Sequence, residues 1–320
     1  MQIIQLEHPY SPNDIVTQPI VLALGFFDGV HLGHQAVITT AKQRAEVLGI
    51  PLAVLTFNQH PKIVYEKLNE ESMYYLSTIE RKQELLLELG VDILYLVNYT
   101  FAFGDQAPQK FVDDYIVNLN AKVVVAGFDY TYGKPGIANM ETLPIHSQDR
   151  FEIIEVPKLT MDHHKIGSRT IRAMISEGQL EEANLELGYT YQTSGVIVHG
   201  EKRGSALLGY PTANVQTASK ELLPGVGIYV VEILVNNKWH KGMASIGRNV
   251  TFGDNRPITC EVFILDFNRM IYGESVQVKW HHYLRGELKF DGIEGLIAQL
   301  DEDLAQTRDY FNRLETELSS

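Results

Sequence analysis

The chain has 320 residues, 45% hydrophobic and 21% charged, enough to bury two cores of ordinary globular composition. A formal net charge of −13 argues against general nucleic-acid binding and against an anionic membrane, though not against local capture of a nucleotide. The single cysteine, Cys260, leaves no internal disulfide, and with no basic leader or membrane-length apolar run a cytoplasmic protein without a membrane partner is expected.

Ile20 to Phe27 is an apolar run with the length of a buried strand, Asp28-Gly29 is a turn dipeptide, and Val37, Ile38, Ala41 and Ala45 recur at helical spacing. A strand, a glycine turn and a helix in that order aim unpaired N–H groups and the positive end of a helix dipole at the turn, which makes an anion site. Gly25, Gly29 and Gly33 allow close approach of a phosphate to the backbone, and a triphosphate is the natural guest. His31 and His34 fall on one helix face and can donate to one phosphoryl oxygen as pyrophosphate leaves. Two plainer readings stand beside this one: a metal cluster of His31, His34 and Asp28, or ordinary histidines capping a helix.

The stretch Gly25-Phe26-Phe27-Asp28-Gly29-Val30-His31-Leu32-Gly33-His34 resembles the adenylyltransferase signature of the bacterial bifunctional riboflavin kinase/FAD synthetases. That resemblance implies that Gly25, Phe26, Phe27, Asp28, Gly29 and Gly33 hold ATP and that His31 and His34 are catalytic.

Further on, Pro51 to Phe57, Ile93 to Val97 and Val123 to Ala126 are short apolar runs, separated by helical patterns at Ile79 to Leu89 and Phe111 to Ile116. Strands alternating with helices predict a parallel, Rossmann-like α/β sheet with ligands at the carboxyl ends of its strands. Phe57-Asn58-Gln59-His60-Pro61 resembles a family loop, with His60 read as structural or phosphate-edge. Gly127 to Lys134 resembles the family's adenine and ribose segment, which implicates Asp129. Lys165 to Arg172 resembles a Ser-Ser-Thr-x-Ile-Arg motif that holds ATP phosphates: Ser168, Ile171 and Arg172 match, while Gly167 and Arg169 depart from it.

Met174, Ile175, Leu180, Ala183 and Leu185 pattern the last helices of this domain, and the style changes at Gly188. Ser194 to His199, Ile228 to Val235, Ile258 to Leu265 and Ser275 to Trp280 read as strands of a small antiparallel barrel. Ile293, Leu296, Ile297, Leu300, Leu304 and Phe311 then mark a long amphipathic helix closing that domain. Domains of 1–187 and 188–320 are therefore expected.

The second domain carries Gly200-Glu201-Lys202-Arg203-Gly204, a basic glycine loop suited to phosphate, and then Gly209-Tyr210-Pro211-Thr212-Ala213-Asn214. The Thr212 hydroxyl and the Asn214 carbonyl are hard oxygen ligands of the kind Mg²⁺ prefers. The second stretch is similar to the riboflavin kinase signature, which implies that Thr212 and Asn214 hold the metal and that Glu261 takes the proton from the ribityl hydroxyl. Without the resemblance Glu261 reads as an outward-facing strand carboxylate. Leu284 to Phe290 also resembles a family segment and brings Arg285 into the binding set.

Taken whole, the resemblance implies ATP- and Mg²⁺-dependent phosphorylation of riboflavin to FMN in the barrel, and adenylylation of FMN to FAD in the first domain. Riboflavin, FMN and ATP are then the small-molecule partners, with the oligomeric state left open. Gly167 and Arg169 motivate an alternative, a riboflavin kinase whose first half is a weakened adenylyltransferase or a flavin-binding regulatory module. Adenylylation of a different phosphate-bearing acceptor is a further one.

Overall fold

Strands β2 (Ile20–Leu24), β3 (Leu52–Phe57) and β4 (Ile93–Val97) are buried at every residue, as parallel strands covered on both faces require. With β1 (Gln2–Leu6), β5 (Ala121–Gly127) and β6 (Glu152–Val156) they form a six-stranded sheet in the order β1-β4-β3-β2-β5-β6, parallel throughout. The two edge strands escape the sequence pattern because Gln2, Gln5, Glu152 and Glu155 break their apolar runs. Helix α1 (Leu32–Leu48) buries Val37, Ile38, Ala41 and Ala45, and α2 (Ile79–Glu88) follows β3 in the chain. The computed structural model describes residues 1–65, 74–161, 164–200, 210–247, 258–290 and 292–318.

Strand β2 stops three residues earlier than its apolar run suggests. The Gly25 N–H still donates to the Leu55 carbonyl at 3.3 Å, but Phe27 adopts a left-handed φ of 55°, which no strand tolerates. The helix expected at 111–116 begins at Pro108 and widens into a looser turn from Asp113 to Val117. A short pair, β7 (Thr160–Met161) and β8 (His164–Lys165), precedes α3 (Ser168–Ser176) and α4 (Leu180–Leu187).

Packing divides the chain into Met1–Ser168 and Arg169–Ser320. The second unit is built on a closed antiparallel barrel in the cyclic order β9-β10-β13-β12-β11-β14. Its strands are β9 (Gln192–Val198), β10 (Thr212–Thr217), β11 (Gly227–Val235), β12 (Lys238–Gly247), β13 (Thr259–Ile264) and β14 (Ser275–Arg285). Trp280 fills the interior against the edge of Tyr229, and its indole N–H donates to the Thr193 hydroxyl at 2.9 Å. Helix α5 (Ile293–Leu318) closes the barrel and buries Phe311. The α/β sheet, the antiparallel barrel and the closing helix match the sequence expectation. Strands β10 and β12 were not foreseen, because Thr212, Asn214, Gln216, His240 and Lys241 give them a polar reading.

Candidate active sites

Strand β2 lies where the order of the parallel sheet reverses, the position at which open α/β sheets bind ligands. Its turn can be built only on glycine at two positions. A Cβ on Gly25 would lie 2.7 Å from the Phe27 ring, and Gly29 holds a φ of 75° against Leu76. The Asp28 carboxylate is buried and accepts from the N–H groups of Leu76 at 3.0 Å and Ser77 at 3.4 Å, while the Ser77 hydroxyl accepts from the Gly29 N–H at 3.1 Å. Asp28 and Ser77 thus lash the turn to the segment leading into α2.

His31 is the N-cap of α1: its Nδ1 accepts from the His34 N–H at 3.4 Å. That bond puts the imidazole proton on Nε2, so the cap and a hydrogen-bond donor are the same ring. His34 stacks on it with ring centroids 3.6 Å apart and meets the edge of Phe27. Burial first, then the nearby His31, Lys82 and Lys165, holds the His34 pKa well below 6.5 and keeps the ring neutral. The buried His34 Nδ1 has no partner, and among the described residues the Leu32 and Gly33 N–H groups also lack an acceptor. Such orphaned donors at a helix start suit a phosphate. Among the described residues no three His, Cys, Asp or Glu side chains converge as a metal-ligand set.

Two other expected segments meet near this turn. The Ser168 hydroxyl, at the start of α3, donates to the Asp28 carbonyl at 3.0 Å. The Lys165 ammonium pairs with Asp129 at 2.5 Å and covers the Phe128 ring at 4.7 Å. Arg172 follows Ser168 by one turn of α3. A Cβ at Gly167 would meet nothing within 4 Å, so the family serine would fit there without rearrangement. His60 has a local job: its Nδ1 accepts from the Lys62 N–H at 3.1 Å and its ring edges onto Phe26 at 5.0 Å.

Sequence reasoning missed Thr56 and Lys82. Both are buried, and both donate to the Phe26 carbonyl, at 2.8 and 2.7 Å. The signal was present for Lys82, which occupies a position on the buried stripe of α2 with Leu85 and Leu86. A lysine in an apolar stripe is buried only for a reason.

The second site sits on the barrel. In β10, Thr212 and Asn214 share one face, and Asn214 pairs directly with Glu261 of β13. The Thr212 hydroxyl donates to the Glu261 carboxylate at 3.0 Å. A hydroxyl, an amide oxygen and a carboxylate on one face form a hard-oxygen set that fits Mg²⁺. Gly200 closes on this set so tightly that a Cβ there would come within 2.2 Å of the Asn214 amide. Pro211 leads into β10, and the Tyr210 hydroxyl beside it donates to Asp301 of α5. Lys202, Gly204 and Gly209 lie outside the described residues. The Arg285 guanidinium has a protein partner: it makes two bonds to the buried Asp303 carboxylate of α5, at 2.9 and 2.7 Å.

The family model described as FAD synthetase matches residues 14–170, and the one described as riboflavin kinase matches residues 187–311. A protein named bifunctional riboflavin kinase/FMN adenylyltransferase from Listeria monocytogenes is 49% identical over 98% of this chain and 100% of its own length. The chain belongs to the bifunctional riboflavin kinase/FMN adenylyltransferase family. The family's Bacillus subtilis protein of the same name is 39% identical over 98% of this chain and 99% of its own.

A crystal structure described as a macrolide-efflux protein from Streptococcus pneumoniae aligns with a TM-score of 0.86 at 36% identity, covering 95% of this chain and 99% of that one. The efflux name is that protein's; here, among the described residues, no helix is long and apolar enough to cross a membrane. A riboflavin kinase and an FMN adenylyltransferase share one polypeptide, with ATP, riboflavin, FMN and FAD as substrates and products. A silent or regulatory first half is not favoured, because the FAD synthetase model spans it and the relatives carry both names.

Proposed function

We propose that adenylylation takes place at the Gly25–His34 turn and phosphorylation of riboflavin on the Thr212, Asn214 and Glu261 face. In the first reaction an FMN phosphate oxygen attacks the α-phosphorus of ATP, and pyrophosphate leaves. The Leu32 and Gly33 N–H groups and the His31 Nε2–H stabilise the charge growing on the phosphoryl oxygens, and neutral His34 adds a second imidazole. Asp28 and Ser77 hold the turn, the Ser168 hydroxyl caps the Asp28 carbonyl, and Lys165 keeps Asp129 at the rim for the adenosine. The observation that carries this reading is the His31 cap, in which Nδ1 accepts from the His34 N–H and so leaves the ring proton on Nε2 at the start of the helix.

In the second reaction Glu261 removes the proton from the ribityl hydroxyl as that oxygen attacks the γ-phosphorus of ATP. Thr212 and Asn214 would hold Mg²⁺, which when bound neutralises the phosphate oxygens. The Thr212 to Glu261 hydrogen bond keeps base and metal ligands in one register. Arg285 serves this site through Asp303, by seating α5 on the barrel end.

We place the division between activities at 187/188, giving domains of 1–187 and 188–320. The family models, ending at 170 and beginning at 187, support that division, although packing groups Arg169 onward with the barrel. The use of ATP in both steps supports a cytoplasmic location.

Chromatography of the products from riboflavin, ATP and Mg²⁺, and in parallel from FMN, ATP and Mg²⁺, tests the reading. Glu261→Gln should lose FMN formation by a factor of about 10² to 10⁴ and still convert supplied FMN to FAD. His31→Ala with His34→Ala should do the reverse. A Glu261→Gln protein that still phosphorylates riboflavin at the native rate would remove Glu261 as the base.

A further inference from the structure

Lys82 is 4% exposed, yet it lies on the apolar stripe of a helix that none of the readings above uses for chemistry. Its ammonium donates to the Phe26 carbonyl at 2.7 Å and rests over the Phe26 ring, 4.2 Å from the centroid. Thr56, fully buried at the end of β3, donates to the same carbonyl at 2.8 Å. One backbone oxygen therefore holds two buried donors, one of them charged.

The position of that oxygen matters. Across a trans peptide the C=O and the N–H point in opposite directions, so fixing the Phe26 carbonyl also fixes the Phe27 N–H. Phe27 then enters the turn at a φ of 55° and Val30 leaves it at 39°, conformations that non-glycine residues hold only when their surroundings impose them. A buried ammonium is costly unless its charge is used or paired, and the Phe26 carbonyl with the ring face beneath it gives only part of that compensation.

Resting on the adenylylation reading above, we propose that Lys82 and Thr56 clamp the Phe26 carbonyl to orient the amides of the phosphate-binding turn, so that Lys82 is a positioning residue for the FAD-forming step. Its charge adds a fixed positive potential behind the turn, where phosphoryl oxygens become more negative as pyrophosphate leaves. Such a donor costs no reorganisation at the moment of reaction.

The titration of Lys82 makes the clamp pH-dependent. Burial lowers its pKa to about 8, against the opposite pull of Asp28. The groups coupled to it are Asp28 from the turn and His34 from α1, and His34 is coupled in turn to His31 and Lys165. His34 stays neutral in this range, so its own titration does not offset the charge change at Lys82. Below about pH 8 the ammonium is charged and the clamp is complete; above it the charge is lost.

The test uses the full-length protein and compares the two reactions in one preparation. For the wild-type enzyme, kcat/KM for ATP in the FMN-to-FAD reaction, which reports the free enzyme, should fall as pH rises through about 8, while the riboflavin kinase reaction shows no matching fall. Lys82→Met should lower FAD formation at neutral pH by about tenfold or more, with kinase turnover unchanged. Lys82→Arg should restore much of the rate and remove the fall near pH 8.

Thr56→Val should cost about threefold, and its combination with Lys82→Met should be non-additive, since both act on one carbonyl. The wild-type profile needs no variant to fold, and a profile flat between about pH 7 and pH 9 would overturn the proposal. So would a Lys82→Met protein with native FAD-forming kinetics. His31→Ala separates the two readings: retained FAD formation there would remove the adenylylation site itself, whereas loss there with full activity in Lys82→Met removes the clamp alone.

Discussion

Replacing Arg285 by Met tests whether its guanidinium acts on substrate or on the fold. Arg285 makes two parallel hydrogen bonds to Asp303, at 2.9 and 2.7 Å, and the Asp303 side chain is 1% exposed against 18% for Arg285. Removing one partner of a buried pair leaves an uncompensated charge and costs about 3–5 kcal/mol. Gln299, whose side-chain N–H reaches Asp303 at 3.2 Å, and the partial exposure of Arg285 place the loss at the low end, about 3 kcal/mol.

For a unit the size of Arg169–Ser320, where each kcal/mol moves the midpoint by about 2–4 °C, Tm should fall by about 6–12 °C. The two tryptophans of the chain, Trp239 and Trp280, both lie on barrel strands, so tryptophan fluorescence during heating reads this unit alone. Arg285→Met with Asp303→Leu should recover most of the loss, because an apolar pair can replace a buried ion pair. Kinase kcat/KM in that double variant should return towards the native value if Arg285 only seats α5. A single-variant shift under about 2 °C would refute the anchoring argument. A stable double variant without kinase activity would return Arg285 to the substrate.

Gly200→Ala puts a methyl 2.2 Å from the Asn214 amide nitrogen. Asn214 must move, so the KM for MgATP in the kinase reaction should rise by about tenfold, with about 1–3 kcal/mol of overpacking measured by the same fluorescence transition. His34 makes the first domain acid-sensitive. Its folded pKa is depressed well below 6.5 by burial, so the unfolded chain takes up a proton first and stability falls as pH drops below about 6.5. Urea midpoints of the wild type at neutral and mildly acid pH should differ more than those of His34→Gln, and equal differences would reject the burial argument.

The apolar runs at 20–24, 52–57 and 93–97 could be read as strands because buried parallel strands are almost wholly apolar, Thr56 being too isolated to break the pattern. The stripe Val37, Ile38, Ala41, Ala45 marked α1, and the short signatures Gly25–His34 and Gly209–Asn214 marked both candidate sites, since each demands specific residue types within a few positions. The edge strands β1 and β6 and the polar strand β10 were not legible, because half their residues face away from any core.

Partners far apart in sequence were equally hidden. No local pattern joins Lys82 to the Phe26 carbonyl, Ser168 to Asp28, or Arg285 to Asp303. Short-range spacing determined the buried strands, helix α1 and the glycine turn that reads as an anion site, because those depend on neighbours within a turn or a strand. The tertiary structure alone decided that Asp28 and Arg285 bind protein groups, and that a lysine stands behind the turn, because buried charges take their partners from whatever the fold brings within hydrogen-bond reach.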